Sequence, residues 1–531
     1  MNRRFYKFLF LLPLICLVAM VQTDAQVRYL DEVATNVMVE NDIIYGQNLT
    51  VLRQMPNDTV QLRMDVYRPV GDSLTNRPVV IYFHTGSFLP PLFNGGITGA
   101  RTDSTVLEFC RRFARLGYVA IAASYRAGWN PTATGSSGQN IRTGTLLNAA
   151  YRGIQDARTC IRFLRKSVAE ENNPYGIDPD KIVLWGQGTG GYISFGSAFL
   201  DRFEEVVLPK FIDSDLLVPY VDTTLVGNVL ASTNKPLCIA NHVGYSSDFA
   251  MAINMGGALG DISWIDGGGN EPPTIGFHVV RDPFAPFADG PVIVPTTGDF
   301  VVNVSGTRSV VEKVNDSGVN DVLAPASALT NTLNSLVSNY KNVPVVFPSD
   351  TTTLATDHMY PFITNGPEAG PWDWWNKDQL DLIVAGTNQA LMTDFNSDTL
   401  HRDGLLTNPD MSAEKGRAHI DTIMSYYIPR GCLALGLTDC IEALGLTNTQ
   451  EILEVGLTMM PNPATDRVQF FTTEAPIQGI RLYDVSGKLM QDVRNINDYA
   501  YDLYRYDLPP GMYVAQLRFK EGTISRKIMF K

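Results

Sequence analysis

The stretch "KIVLWGQGTGGYISFG", Lys181–Gly196, decides the fold class of this chain. Four apolar residues, Ile182–Trp185, run directly into a glycine-dense turn, and apolar residues at helical spacing resume at Tyr192. A short apolar run bounded by glycine is typical of a buried strand, and the spacing after the turn predicts a helix. The sequence therefore predicts a strand that bends sharply into a helix, with Gly188 at the tip of the bend.

The glycines around Gly188 lie where so tight a turn needs small residues. Gly186 and Gly190 are two residues before and two after the tip, where side chains would clash, and Gly191 lets the helix pack close to the strand. Dinucleotide-binding loops are also rich in glycine, but they come early in a βαβ unit and precede an acidic residue about 20 positions on. At least two predicted strands precede this turn, so we favour a nucleophile elbow, whose tip normally carries serine.

Around this turn, apolar strand-like runs alternate with amphipathic helical segments. Alternation of this kind is typical of an α/β fold with a mostly parallel sheet. We predict a doubly wound domain over residues 26–446, with a cap insertion at about 201–247. Residues 447–456 are predicted to be a linker, and the short alternating strands of residues 457–531 predict a small all-β sandwich.

The first 25 residues combine a basic start, an apolar stretch and small residues before Gln26, which predicts a cleaved signal peptide. No transmembrane segment is predicted after cleavage. The formal net charge is −13 and no Lys/Arg-rich run occurs, which argues against nucleic acid as a partner. No cysteine pair has metal-site spacing, so we predict neither a metal nor another cofactor; Cys432 and Cys440 flank a short loop that a disulfide can close.

Three further segments carry residues suited to acyl chemistry. An upstream strand ends in His-Thr-Gly-Ser, where the backbone N–H groups of Gly86 and Ser87, together with that of Thr189, would form an oxyanion hole. Asp282 follows an apolar strand in "FHVVRDPFAPF", as an acid that orients a histidine or as an ordinary turn residue. Of the histidines after Asp282, which are His358, His401 and His419, we predict His358 as the base, because its context is turn-like whereas a helix is expected around His419. The alternative is that His358 is an ordinary histidine without a catalytic role.

Residues from about Ile44 to Lys341 resemble the α/β-hydrolase superfamily, in its carboxylesterase/lipase-like branch. "YFHTGSF" stands where that branch has a His-Gly-Gly-Gly loop, from which Thr85 and Ser87 depart, and "FHVVRDPFAPF" resembles the segment that carries the acid. The resemblance implies a nucleophile at position 188, where this chain has glycine.

The tail resembles the type A C-terminal sorting domain of the type IX secretion system. "PNPATDRVQF", "GIRLYDVSGKLM", "LPPGMYVAQL" and the closing "SRKIMFK" follow that pattern over residues 457–531. The resemblance implies type IX secretion machinery as the partner, and a protein that is secreted or attached to the cell surface.

Together these features predict an exported α/β-hydrolase-fold protein whose nucleophile position is degenerate at Gly188. Its candidate ligands are a small ester or a glycan, and the tryptophans of "GPWDWWN" either line the site or belong to the core. Two alternatives stay open. One is an active ester hydrolase with an unrecognised nucleophile, for which Ser87 is the most interesting substitute; the other is a non-enzymatic surface scaffold.

Overall fold

The computed structural model describes residues 26–52, 58–268, 270–348, 350–446, 456–484, 488–520 and 522–531. The predicted signal peptide at 1–25 lies outside the described residues, as does the predicted linker except for Gly456.

The N-terminal part of the chain forms a large sheet with shorter strands around it. Its strands are β1 (Val37–Leu49), β2 (Thr59–Pro69), β3 (Arg77–Phe83), β4 (Val119–Ala123), β5 (Ile177–Gln187), β6 (Met251–Met255), β7 (Ala258–Leu259), β8 (Thr274–Val279), β9 (Asp289–Ile293), β10 (Phe300–Gly306), β11 (Pro344–Val346), β12 (Thr351–Thr353) and β13 (Met359–Phe362). The main sheet has eight strands in the order β1-β2-β4-β3-β5-β6-β8-β13. Only β2 runs against the others. This strand order is that of the α/β-hydrolase fold, which confirms the predicted fold class.

Helices cover both faces of this sheet. They are α1 (Ser104–Arg115), α2 (Gln139–Glu170), α3 (Thr189–Phe199), α4 (Thr223–Val226), α5 (Thr307–Ser317), α6 (Ala324–Ser327), α7 (Thr332–Tyr340), α8 (Lys377–Leu391), α9 (Ser397–Gly404), α10 (Ala413–Ala434) and α11 (Thr438–Ala443). Helices α2, α3 and α5 pack on one face, and α1 and α10 on the other. Every residue of β3 is buried, as expected for a central parallel strand covered on both sides. A disulfide joins Cys432 at the end of α10 to Cys440 in α11.

The C-terminal part has a hydrophobic core of its own. Its strands are β14 (Thr458–Met460), β15 (Arg467–Phe471), β16 (Ile477–Asp484), β17 (Leu489–Asp498), β18 (Ala500–Tyr504), β19 (Gly511–Phe519) and β20 (Gly522–Phe530). All of their pairings are antiparallel, in one sheet of three strands and one of four. This arrangement confirms the small all-β domain predicted from the alternating pattern.

Three segments lie over the carboxyl ends of the parallel strands. The predicted cap at 201–247 contains short turns of 3₁₀-helix and α4, the hairpin of β9 and β10 forms a second part, and the α8–α9 pair forms a third. The sequence predicted only the first of these. Across the described ranges, no helix has the length and apolarity needed to cross a membrane.

Candidate functional site

The bend after β5 has the geometry of a nucleophile elbow. Gly188 adopts φ 53° and ψ −115°, and α3 begins at the next residue. A Cβ on Gly186 would lie 1.9 Å from the carbonyl oxygen of Gly190, and a Cβ on Gly190 would lie 2.0 Å from that of Phe83. No side chain fits at such distances, so the glycines on either side of the tip are a steric requirement of the turn. Gly191, one residue further on, packs against Asn254 and Gly257.

The space beside Gly188 is taken by the side chain of Thr85. A Cβ added to Gly188 would lie 2.2 Å from the Thr85 Oγ1 atom and 2.9 Å from its Cβ atom. Atoms that are not bonded to each other do not approach so closely. The threonine that departs from the family's glycine-rich loop therefore fills the place that a nucleophilic side chain at position 188 would need.

The predicted oxyanion loop lies next to the elbow. Gly86 and Ser87 both have positive φ, at 131° and 55°, and both line the same cavity as Thr189. Within the described chain, the backbone N–H groups of these three residues donate no hydrogen bond to a protein acceptor. They are therefore free to donate to an oxygen atom of a ligand.

Tyr125, which the sequence did not single out, ties the loop to the elbow. Its hydroxyl lies 3.0 Å and 3.1 Å from the carbonyl oxygens of His84 and Thr85, and 2.8 Å from the Thr189 Oγ1 atom. The ring of His84 stacks on that of Tyr125, and burial lowers the pKa of His84 to about 4. The Thr189 hydroxyl is thus held in a structural hydrogen bond, and His84 stays neutral at physiological pH.

Asp282 lies at the cavity wall just after β8. Its Oδ1 atom accepts hydrogen bonds from the backbone N–H groups of Phe284 and Ala285, at 2.7 Å and 3.2 Å. Its Oδ2 atom lies 3.5 Å from the Nε2 atom of His278, and the side chain is only 3% exposed. The structure thus brings Asp282 to the same cavity as Gly188.

His358 requires a correction, because the structure places it away from the elbow. It precedes β13, so it lies at the amino end of the parallel strands, whereas the elbow lies at their carboxyl end. It is buried 3.3 Å from the Arg430 Nε atom, and burial together with that guanidinium holds the pKa of His358 well below its usual range. The turn-like context of His358 was interpreted correctly, but the last strand of the main sheet, β13, follows the histidine and does not precede it.

The other downstream histidines do not replace it. His401 accepts a hydrogen bond from the Trp375 indole at 3.0 Å, and His419 lies on α10 with its ring against Phe362. No histidine, lysine or arginine lines the cavity in the part of the chain that the structure describes. The residues gathered around Gly188 therefore include an acid but no base of the imidazole type.

The cavity has a volume of about 580 Å³ and reaches Gly188, Gly86, Ser87 and Asp282. Its walls are mostly apolar and rich in aromatic rings. The aromatic residues that line it are Phe88, Trp129, Tyr151, Tyr192, Phe211, Trp264, Phe284, Trp372 and Trp375. Trp374 instead lies beneath the guanidinium of Arg417, with 5.4 Å between that group and the ring centroid. A concave apolar site with a few polar groups is the usual form of a small-molecule site.

Asp373 is a cavity residue that the sequence reading missed. Both of its carboxylate oxygens accept from the Gln187 Nε2 atom at 2.9 Å, and Oδ1 also accepts from the Thr105 hydroxyl at 2.6 Å. Burial raises the pKa of Asp373 to about 6. Because Gln187 immediately precedes Gly188, Asp373 supports the elbow from the loop after β13. Its place between the tryptophans of "GPWDWWN" was the only sequence signal.

No group of three or more potential metal-ligating side chains occurs among the residues that the structure describes. The carboxylates that line the cavity are those of Asp282, Asp373 and Asp403, and each of them has hydrogen-bond partners of its own.

The two parts of the chain were compared with known proteins. Residues 458–531 match the family model described as a secretion system C-terminal sorting domain. The C-terminal domain is a sorting domain of that family. This match confirms the prediction from the tail motifs, and the sorting domain implies handling by type IX secretion machinery, with secretion and attachment to the cell surface.

A segment of the chain also resembles a secreted lipase. It is 30% identical over 118 residues to secreted lipase 5 of Gibberella zeae, an alignment that spans 22% of this chain and 18% of the lipase. Among solved structures, Thermogutta terrifontis esterase 2 phosphorylated by paraoxon and the same esterase with butyrate bound are each 18% identical, with a TM-score of 0.31. Each alignment covers 69% of this chain and 98% of the esterase chain. The fold assignment of this chain rests on its own strand order and elbow.

Proposed function

We propose that this exported protein uses its α/β-hydrolase fold to bind a ligand and does not hydrolyse it. The observation that carries the proposal is the Thr85 hydroxyl, which lies 2.2 Å from where a Cβ at position 188 would stand. A degenerate elbow that had merely lost its serine would leave a gap. Here the neighbouring loop has filled that gap, while the cavity beyond it has remained open.

The remaining hydroxyl groups are poorly placed to replace a serine nucleophile. The Thr189 hydroxyl is bonded to Tyr125, and the Ser194 hydroxyl donates to the Leu184 carbonyl oxygen in the core. A hydroxyl attacks an ester effectively only with an adjacent base, and no histidine lines the described cavity. Loss of a nucleophile or its base typically removes a factor of order 10⁶ from the rate.

The second candidate is an active ester hydrolase that uses Ser87. Ser87 lines the cavity next to the free backbone N–H groups, and its hydroxyl makes no hydrogen bond among the described residues. This candidate would need a base other than histidine, and the acids that line the described cavity are Asp282, Asp373 and Asp403. The third candidate is a surface scaffold without a ligand site, and the open cavity of about 580 Å³ argues against it.

Hydrolysis of p-nitrophenyl butyrate by the protein without residues 1–25 distinguishes the two candidates. We expect wild type to match the rate in buffer, and Ser87→Ala and Asp282→Asn to change nothing. Turnover by wild type that disappears in Ser87→Ala would establish the second candidate and refute the proposal. The esterase or lipase chosen as a positive control verifies the assay.

A further inference from the structure

A second concave surface, here called the polar cleft, lies outside the main cavity. It has a volume of about 660 Å³ and is formed by the segment leading into α2, the cap and β10. Among the described residues, Val302 alone lines both the polar cleft and the main cavity. Hydroxyl or amide side chains from all three segments line the cleft, and its volume lies within the roughly 300–1,000 Å³ typical of small-molecule sites.

Two side chains hold the walls of the polar cleft together. The guanidinium of Arg142, which is only 2% exposed, donates to the carbonyl oxygen of Gly135 at 2.9 Å and to that of Phe300 at 2.9 Å and 3.2 Å. Asn140 joins α2 to the cap, since its amide oxygen accepts from the Tyr220 hydroxyl at 2.6 Å. Because these contacts fix the walls before a ligand arrives, binding costs less conformational entropy.

The charges of the polar cleft favour a neutral ligand. The Lys210 ammonium lies 2.7 Å from the Asp261 Oδ2 atom and donates to the Gly260 carbonyl oxygen at 2.7 Å, so it is already paired. The other charged side chain in the described lining is that of Asp215, which is exposed and accepts from the Asn140 Nδ2 atom at 2.9 Å. An anion therefore finds no free cation, and a cation finds only a carboxylate that water screens.

Four polar side chains of the cleft have unused hydrogen-bonding groups. Ser136, Ser137 and Gln139 lie where α2 begins, and Asn303 lies on β10. None of these side chains makes a hydrogen bond within the described residues. A hydroxyl or an amide group can both donate and accept hydrogen bonds. Because a sugar hydroxyl also does both, this set of groups matches a ligand with several hydroxyl groups.

Phe300 adds an apolar surface to the polar cleft. It lines the cleft and is 38% exposed, although it is a large aromatic residue. A pyranose ring carries C–H groups on a face and hydroxyl groups around its edge, so that face can pack against an aromatic side chain while the edge forms hydrogen bonds. An exposed aromatic residue beside unused hydroxyl and amide groups therefore suits a sugar ring.

We infer that the polar cleft binds a neutral saccharide, with a sugar ring against Phe300 and its hydroxyl groups bonded to the side chains of Ser136, Ser137, Gln139 and Asn303. The cleft is separate from the cavity of the proposed function. The inference therefore assigns a second ligand site to the protein, and it holds whether or not the cavity is hydrolytic.

Ligand-observed NMR titrations of the protein without residues 1–25 test the inference. Maltose, cellobiose and lactose are the neutral probes, glucuronate is the anionic probe and glucosamine is the cationic probe. At least one neutral disaccharide is expected to bind with a Kd in the millimolar range or below, and more tightly than either charged sugar. Absence of binding by all three disaccharides, or tighter binding of a charged sugar, would overturn the inference without any variant.

Phe300→Ala and Gln139→Ala then locate the bound sugar. Both side chains are exposed, so their truncation leaves the hydrophobic cores intact. Each variant is expected to weaken binding of the disaccharide at least about threefold, as for the loss of one ring contact or one hydrogen bond. Unchanged affinity in either variant would refute the assignment.

Phe284→Ala is the matched control, because Phe284 is an aromatic residue that is 43% exposed but lines the main cavity. It is expected to leave saccharide binding unchanged, whereas a loss as large as that of Phe300→Ala would place the sugar in the main cavity and refute the inference. None of the probes is an ester, so turnover of p-nitrophenyl butyrate tests the proposed function independently of these results.

Discussion

At the scale of single residues, the site is defined by two positions that are far apart in the chain but adjacent in space. The elbow has lost its side chain at Gly188, and the loop that should be all glycine has gained one at Thr85. These changes are sterically linked, because the two side chains compete for the same space. Considering position 188 alone, one would expect Gly188→Ser to restore the site, but the Thr85 side chain stands in the way of the new serine.

Gly188→Ser is therefore expected to destabilise the protein by about 1–3 kcal/mol, the usual cost of overpacking. Combining Gly188→Ser with Thr85→Gly should relieve the clash. In the Thr85→Gly background, Gly188→Ser should therefore lower the free energy of unfolding by at least about 1 kcal/mol less than it does in the wild type. Urea unfolding of the two single variants and the double variant measures this coupling. Additive effects would mean that Thr85 does not occupy the space of the missing side chain.

Asp373 gives the site a pH dependence of known sign. Its pKa is raised from 3.8 to about 6 by burial, so folding disfavours the charged form. The contribution of Asp373 to stability is fully present below about pH 4 and is lost as the pH rises through about 6. At about 1.4 kcal/mol per pKa unit the loss amounts to at most about 3 kcal/mol.

Asp373→Asn is expected to remove this component, leaving a flatter profile of unfolding free energy between about pH 4 and pH 7. The amide oxygen can still accept from Gln187, which keeps the support of the elbow. Denaturant unfolding at a series of pH values provides the measurement. If the profile of the variant is as steep as that of the wild type, Asp373 does not cause the pH dependence. Asp403→Asn is the control, because Asp403 lines the same cavity but its side chain is 44% exposed and paired with Arg402.

At the scale of elements, the junction of β5 and α3 does not tolerate added side chains. The glycines before and after the tip contact backbone atoms rather than flexible side chains, so no local movement relieves an added methyl group. This is also the part of the site that the sequence predicted best. The steric need for glycine belongs to the turn itself and requires no knowledge of distant residues.

Gly186→Ala is expected to cost about 3 kcal/mol or more, because its Cβ would lie 1.9 Å from the Gly190 carbonyl oxygen. Gly386 is the matched control, since it lies within α8 and nothing stands within 4 Å of an added Cβ. Gly386→Ala should stabilise the protein by up to about 1 kcal/mol through helix propensity. Thermal unfolding of both variants checks the contrast, and equal effects would show that the bend tolerates a side chain.

Sequence patterns did not predict those parts of the site that are formed by elements far apart in the chain. His358 was assigned to the base from its local context, but whether a loop precedes or follows a strand decides which end of the sheet it reaches. Tyr125 and Asp373 support the elbow from distant segments and have no motif around them. The β9–β10 hairpin and the α8–α9 pair close over the cavity through tertiary packing, which periodicity does not encode.

At the scale of the whole molecule, the N-terminal and C-terminal parts of the chain have separate hydrophobic cores. The sheet and its helices form the cavity, whereas the strands of residues 458–531 pack around a separate hydrophobic cluster. Both domains were predictable from the sequence, because a mostly parallel sheet and a small antiparallel sandwich have different hydrophobic patterns.

Deletion of residues 458–531 is expected to block export across the outer membrane without unfolding the N-terminal domain, whose cores the deletion leaves intact. Immunoblots of periplasm, cell surface and medium from a host with a type IX system follow the location, and circular dichroism follows the fold. A truncated chain that reached the surface or medium as efficiently as the full chain would contradict the role of the sorting domain.

The central claim, that the elbow carries no working nucleophile, is tested most directly by the intact mass of the protein after treatment with paraoxon. Paraoxon phosphorylates activated serine residues of esterases, and the reaction leaves a stable adduct on the attacking oxygen. The account predicts an unchanged mass for the protein without residues 1–25 under conditions that fully label a control esterase. A single diethylphosphoryl adduct on Ser87, Thr85 or Thr189 would contradict it and identify the nucleophile.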